Sequence, residues 1–459
     1  MKIDFDIKII RNSNDQIVKK NELIKLLKFY FVNGRPKSFS KYIDDINIVI
    51  PSMMKNMSFD ELLFIVPNLY QFFYTVTINE FFEDNQKKIR DKLLNPFSKI
   101  LVNVIHKLNF NELTYKVQKN NYLIICRHAV TEGMYAPGAV IYSITAELLK
   151  IRKKVIIVSL GDVDRRFIKL QESNSKLILM KPDKNTSPLK QLINLRKICV
   201  EFKPTKIITE MPVNIGTALY YSNISSKILY WCPGFKNVPW FDKVMLVPEL
   251  SNKDILTNTK YIKIPRSIDF NLLNPNVSED LIHAFKNKNS ILDNDLILGT
   301  FSRYDKISSS FLELVSFLLE KNFSRKIIIA GSNDNTEVKK FLKKFIINKQ
   351  AIVLGQSNVH ILGNACNIFL DTLPFPCGSS AVEMMAKGKP VVGIKTLNLA
   401  AYNKSRIKDL IVDNKFLLNE LLIKLETDNT FYKEMSKRSI KIARNYDNGK
   451  LLVKKILSI

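Results

Sequence analysis

From about residue 119 the chain alternates short apolar, β-branched runs with longer segments whose apolar residues recur every third or fourth position. The runs at 121–129, 153–162, 175–182, 205–212, 226–234 and 243–249 read as buried strands, and 136–151 and 188–203 as helices between them. Strands alternating with helices predict parallel βαβ units in a doubly wound sheet. A second series comes after a polar, proline-bearing stretch at 248–275. It comprises strands at 295–303, 325–332 and 350–356, a helix at 309–322 and a basic helix at 334–347, and it continues through apolar segments to 395. Before residue 119 the pattern is helical throughout, at 23–31, 59–76 and 97–108, with Ser58 placed to cap the second of these.

The expected organisation is therefore a helical domain over 1–118, a first Rossmann-like domain over 119–265 and a second over 275–430. A terminal helical segment, 431–459, is free to return onto the first Rossmann-like domain. Two such sheets in tandem would set their strand C-termini at a shared cleft, where ligands of open α/β sheets bind.

Composition narrows the function classes. An apolar share of 46% and a charged share of 25% exclude bulk disorder, and no run reaches the roughly 18–20 apolar residues that a bilayer crossing needs. The opening residues alternate charged and apolar positions, so no secretory signal is expected. Five scattered cysteines without a CxxC pair read as reduced thiols of a cytoplasmic protein. The net charge of +27 comes from lysines spread over the whole chain, not from an arginine-rich or aromatic-interleaved face, so no nucleic-acid partner is expected. Contact with an anionic membrane surface stays open, and the charge favours acidic small molecules such as nucleotide diphosphates.

Glycines locate the chemistry. Of 14 in the chain, six fall between Gly331 and Gly393. Within that window lies Phe369-Leu370-Asp371-Thr372-Leu373-Pro374-Phe375-Pro376-Cys377-Gly378-Ser379-Ser380-Ala381-Val382-Glu383, a strand end, a proline-bearing turn and a helix start. Free backbone N–H groups, two hydroxyls and the positive end of a helix would converge there, an anion site suited to a diphosphate. Glu383, one turn into the helix, is placed to accept hydrogen bonds from a sugar diol.

This stretch resembles the donor-binding motif of GT-B glycosyltransferases. The similarity is greatest to the O-GlcNAc transferase family and the bacterial cytoplasmic adhesin glycosyltransferases. The resemblance implies that Gly378, Ser379 and Ser380 contact the UDP phosphates and Glu383 the ribose. A second match, Gly299-Thr300-Phe301-Ser302-Arg303-Tyr304-Asp305-Lys306-Ile307-Ser308-Ser309, resembles the family's Gly-Ser-Phe stretch with its Lys-Ile-[Ser/Thr]-Pro ending, Ser309 standing where the family has proline. It implies donor contacts from Gly299 and Ser302 and makes Lys306 the cation that stabilises departing UDP. A third, looser match at 230–240 implies sugar- or acceptor-side contacts from Pro233 and Gly234, with Trp231 and Trp240 either facing the sugar or filling the core.

Four histidines are present. His128 comes after a strand and precedes a loop containing Glu132 and Gly133, with Gly138 beyond. The family places a histidine in that loop. Its imidazole would take the acceptor's proton or orient the donor, with Glu132 a rival acid/base, while Gly133 and Gly138 let backbone approach the donor. His360 resembles a family histidine near the uracil, placed at the foot of the strand before the diphosphate turn. His106 lies on an apolar helical face and reads as structural. The DxD at Asp162-Val163-Asp164 belongs to another glycosyltransferase architecture, so no metal and no cofactor are expected, a UDP-sugar being the donor substrate. The implied protein is an inverting GT-B enzyme that transfers a hexose or N-acetylhexosamine from a UDP-sugar, first of all to a protein such as an adhesin or autotransporter. A lipid-linked or polysaccharide acceptor and a non-catalytic GT-B subunit are the alternatives, and the oligomeric state stays open.

Overall fold

The computed structural model describes residues 54–55, 57–63, 65–67, 70, 90–110, 113–131, 136–183, 186–211, 213–232, 240–246, 261–265, 267–332, 334–374, 376–395 and 406–459. The chain forms two compact units, Met1–Ala129 with Thr145–Ile264, and Val130–Ile144 with Pro265–Ile459.

The first unit is built on seven parallel strands, β1 (Gln118–Cys126), β2 (Lys154–Ser159), β3 (Leu177–Met180), β4 (Pro204–Thr209), β5 (Lys227–Cys232), β6 (Lys243–Leu246) and β7 (Tyr261–Lys263). Their order is β3-β2-β1-β4-β5-β6-β7, so the winding reverses between β1 and β4. The apolar runs dictate this burial: six consecutive residues of β1, Tyr122 among them, leave no face for water, as a central parallel strand requires. The helices α1 (Asn95–Lys107), α2 (Ala136–Lys150), α3 (Arg165–Glu172), α4 (Pro188–Phe202) and α5 (Ile215–Tyr221) accompany the strands, with α2 divided between the two units at Ile144. Phe97, Leu101 and Ile105, four residues apart on α1, enter the same core as Leu123, Ile125 and Trp240. Burial of each such side chain stabilises by about 1.5–3 kcal/mol, well above the few tenths at stake in helix propensity. Packing on the sheet therefore holds this part of the N-terminal region, joined there by Phe59, Leu62 and Val66. Ser58 caps as expected and does so reciprocally: Glu61 N–H donates to Ser58 Oγ (3.3 Å), and Ser58 N–H to Glu61 Oε2 (2.9 Å).

The second unit has six parallel strands, β8 (Leu296–Phe301), β9 (Arg325–Ala330), β10 (Ala351–Leu354), β11 (Ile368–Leu370), β12 (Val391–Ile394) and β13 (Ile411–Val412). Their order is β10-β9-β8-β11-β12-β13, and here the winding reverses between β8 and β11. Helices α6 (Ser309–Lys321), α7 (Val359–Ala365), α8 (Ser379–Ala386), α9 (Lys415–Thr427), α10 (Asn429–Arg444) and α11 (Gly449–Ser458) belong to the same unit. Leu298, Ile329, Ile368 and Leu370 from the sheet meet Phe311 and Leu318 of α6 and Leu418 and Leu422 of α9 in one core.

Two elements differ from the sequence pattern, and the helix expected at 23–31 lies outside the described residues. Strand β7 lies inside the stretch read as a linker, because three residues in polar surroundings carry no periodic signal. The basic helix breaks at Leu342 into Thr336–Phe341 and Lys343–Ile347. Among the described residues, no helix is long and apolar enough to cross a membrane.

Candidate active site

In the second sheet the ends of β8 and β11, which flank the reversal of winding, lead into Lys306 and the 371–378 turn, and in the first sheet the end of β1 leads into His128. This is where a doubly wound sheet opens a crevice for ligands, because neighbouring loops leave in opposite directions.

In the second unit, β8 delivers Lys306. After the strand, Ser302 N–H donates to Ala330 O and Tyr304 N–H to Ser332 O, both at 3.0 Å. Tyr304 opens a single 3₁₀ turn that ends at Lys306. The buried Tyr304 hydroxyl donates to Leu354 O (2.5 Å) and lies 3.1 Å from Ile329 O, which moors the turn to the ends of β10 and β9. Burial pushes this phenol up to about 12, so it stays a donor across the working pH range. Ser308, just past Lys306, serves two partners: its Oγ accepts from Phe311 N–H (3.1 Å) as the cap of α6 and donates to Leu373 O (2.7 Å). That second bond ties the lysine loop to the turn after β11.

The turn itself is closed by a buried carboxylate. Asp371 Oδ1 accepts from Thr372 N–H (3.1 Å) and Cys377 N–H (2.5 Å), and its Oδ2 lies 3.0 Å from Arg406 Nε. Arg406 also donates through Nη2 to the Cys377 carbonyl. The Leu373–Pro374 peptide within the turn is cis. Complete burial, with the Asp371 charge beside it, pushes the Cys377 thiol up to about 11, while the Lys306 ammonium is close enough to act on it in the opposite direction. Lys306 and the turn after β11 are thus within electrostatic reach of each other.

Gly378 is the N-cap of α8, and no side chain caps its first N–H groups. Ser379 and Ser380 form the first turn, half-buried. Glu383 lies further along the same helix, its carboxyl raised by burial and drawn the other way by Lys387. Burial also draws the Lys387 ammonium down to about 8, and its Nζ donates to Leu273 O. The helix stops at Gly388, where φ is +74°, a left-handed residue that lets Gly388 N–H reach Met385 O and Lys389 N–H reach Met384 O.

Two other residues of this unit have surroundings of their own. His360 stands in the first turn of α7, not at the foot of a strand; it is buried, and its N–H donates to Asn358 Oδ1 at 2.9 Å. Gly299 faces Cys366: a Cβ there would lie 2.6 Å from its Sγ, so the glycine makes room for that thiol.

In the first unit, β1 delivers His128. The buried Glu210 at the end of β4 accepts from Arg127 N–H at 2.6 Å and so holds the start of the loop against its neighbouring strand. The imidazole is seated on the loop after β2, against Gly161, where a Cβ would come within 2.4 Å of Nδ1. Asp162 N–H donates to Nδ1 at 3.0 Å, while the Asp162 carboxylate is 3.9 Å away and mostly exposed. Burial lowers the ring's pKa, Arg127 adds to that, and Asp162 opposes it. A neutral ring that accepts on Nδ1 carries its proton on Nε2. Of the Asp162-Val163-Asp164 pair, Asp164 caps α3, accepting from Arg166 and Phe167 N–H at 3.1 Å each. Gly138 lies in the first turn of α2, where a Cβ would collide with Val130 O at 1.7 Å. Glu132, Gly133, Pro233 and Gly234 lie outside the described residues, as does the Trp231 side chain. Trp240 is core, its ring centroid 6.1 Å from those of Phe97 and Phe241.

Residues 283–445 match the family model for glycosyl transferases group 1. This segment of the chain is thus similar to the group 1 glycosyl transferases. No curated protein matches the chain in sequence. Among solved structures, the glycosyltransferase of Rickettsia africae is 16% identical with a TM-score of 0.57, covering 74% of this chain and 98% of that one. Anabaena HepE in complex with UDP and glucose is 16% identical with a TM-score of 0.54, covering 73% and 98%. A mutant O-GlcNAc transferase of Thermobaculum terrenum is 10% identical with a TM-score of 0.54, covering 99% and 96%. The shared architecture is the GT-B fold.

Sequence reasoning points to Lys306, the Gly378–Ser380 turn and His128, but not to every residue that the structure shows bracing them. Arg406 and Glu210 carry no local motif, and Ser308, although it stands in the Lys-Ile-Ser match, gives no sign there of its bond to Leu373 O. Each acts on a partner far along the chain, and only a buried polar residue at the end of a strand (Glu210) gives any hint.

Proposed function

We propose that this glycosyltransferase transfers a hexose or N-acetylhexosamine from a UDP-sugar, with inversion and without a metal ion, to a protein acceptor. The observation that carries the reading is the pairing of the Lys306 loop with the Gly378–Ser380 helix start at the reversal of winding between β8 and β11. An acceptor hydroxyl or amide attacks the anomeric carbon and loses its proton to solvent or to a diphosphate oxygen, and the bond from that carbon to the UDP oxygen breaks with its electron pair on the diphosphate. Charge therefore grows on the diphosphate in the transition state. A fixed ammonium and a row of backbone N–H groups stabilise it there without reorganising. Lys306 supplies the cationic charge in this scheme, and Asp164 is occupied as a helix cap. A UDP donor is supported by the complexes of HepE with UDP and with UDP-glucose. A protein acceptor rests on the motif resemblance to the O-GlcNAc transferase and adhesin glycosyltransferase families; the Thermobaculum O-GlcNAc transferase structure spans 99% of this chain, whereas the Rickettsia and HepE structures span 74% and 73%.

The test is incubation with UDP-glucose, UDP-GlcNAc, UDP-galactose and GDP-sugars together with candidate surface proteins, monitoring UDP release and the mass of the acceptor. One UDP-sugar is expected to give both UDP and a hexose- or N-acetylhexosamine-sized increment on protein; binding of UDP with no transfer to any acceptor would leave a non-catalytic subunit. Glu383→Ala is expected to raise the Kd for UDP about tenfold, the loss of charge-assisted hydrogen bonds to the ribose diol. Calorimetric titration with UDP checks it, and an unchanged Kd removes Glu383 from the ribose.

A further inference from the structure

We infer that Arg406 is the positioning residue of the diphosphate turn, setting the geometry in which the α8 N-terminus meets its anion. The inference rests on the proposed binding of UDP and adds a residue to it. Arg406 and Asp371 form an ion pair with side chains 2% and 5% exposed, Nε to Oδ2 at 3.0 Å. A buried pair of this kind contributes little net stability, because desolvation offsets most of the attraction, and an apolar replacement would serve the core as well. Its connections point to another role. The guanidinium fork grips the first residue of the turn through the Asp371 carboxylate and the last through the Cys377 carbonyl. The other carboxylate oxygen holds Cys377 N–H at 2.5 Å. Both polar groups of the Cys377 backbone are thereby fixed, and Gly378, the next residue, begins the helix. With Cys377 immobile, the direction in which the first N–H groups of α8 point is set before any ligand arrives, which is preorganisation of an anion site. Arginine suits this because its planar donors reach two acceptors at once, which the single ammonium of a lysine cannot do in fixed geometry.

The experiment compares UDP and uridine, which share the nucleoside and differ in the diphosphate. R406K keeps a charge opposite Asp371 and loses the fork. It is expected to bind uridine as the native protein does, to bind UDP about tenfold more weakly, and to turn over more slowly at saturating donor. A merely structural role would lower both affinities together or neither, so equal loss of uridine and UDP overturns the inference, as does unaltered UDP binding. Should R406K not fold, D371N is read in the same way, since its carbonyl oxygen still accepts from Cys377 N–H while the charge facing Arg406 is gone. Failure of the native protein to bind UDP at all would fell the proposed UDP site and this inference with it, an outcome distinct from a native protein that binds UDP and an R406K that binds it equally well.

Discussion

Replacing Lys306 by alanine is expected to cut the turnover number by about 10²–10³-fold, the loss seen when one preorganised group facing developing charge is removed. The ground-state affinity for UDP is expected to fall much less. The physical reason is the growth of negative charge on the leaving diphosphate, which a fixed cation stabilises more in the transition state than in the bound donor. Nothing about the lysine itself ensures that position; its moorings do. The 3₁₀ turn that carries it is pinned by the Tyr304 hydroxyl to Leu354 O, and its far end by Ser308 Oγ to Leu373 O. Lys306→Arg should recover only part of the loss, since a planar fork does not occupy the site of a compact ammonium. Turnover and UDP Kd measured on the same preparations decide it. Unaltered turnover in Lys306→Ala would take the lysine out of the chemistry, and a fall in affinity equal to the fall in turnover would make it a binding residue only.

The parts of this protein legible in its sequence are those encoded locally. A parallel strand buried on both faces needs a continuous apolar run, and β1, β2, β8 and β9 each have one. The turn into α8 needs a glycine at the cap and small hydroxyl residues after it, and 378–380 supply them in order. Features that arise from pairing between distant segments are not legible. Strand order is one instance, for no local pattern states that β11 lies beside β8. The bracing of the site is another. Arg406 reaches Asp371 across 35 residues, Ser308 reaches Leu373 across 65, and Glu210 reaches Arg127 across 83. These bonds are satisfied by burial at strand ends, where a polar residue finds its partner through the fold and not through spacing in the chain. The glycines divide along the same line. Gly378 caps α8 and stands in a motif, whereas Gly299 and Gly138 are small because Cys366 and the Val130 carbonyl lie against them.

His128 shows how far a motif reaches and where geometry takes over. Its position after β1 is legible; which of its nitrogens carries the proton is decided by an N–H 34 residues away. With Nδ1 occupied by Asp162 N–H, the neutral imidazole holds its hydrogen on Nε2, so it donates there and does not accept. His128 is therefore expected to act as a donor and not as the base, and two substitutions separate the two readings. Glutamine places an amide N–H near where Nε2 stands, so His128→Gln is expected to keep turnover within about tenfold of the native enzyme, while His128→Ala loses about 10²-fold. A general base would be missed equally in both variants, because neither side chain can take up a proton. The pH profile adds a second measure. Burial and Arg127 lower the ring's pKa, so the neutral form that accepts from Asp162 persists below the ordinary value of 6.5, and any acid limb attributable to His128 must lie under that value. Equal losses in the glutamine and alanine variants, together with an acid limb above 6.5 that both abolish, would return His128 to the role of base.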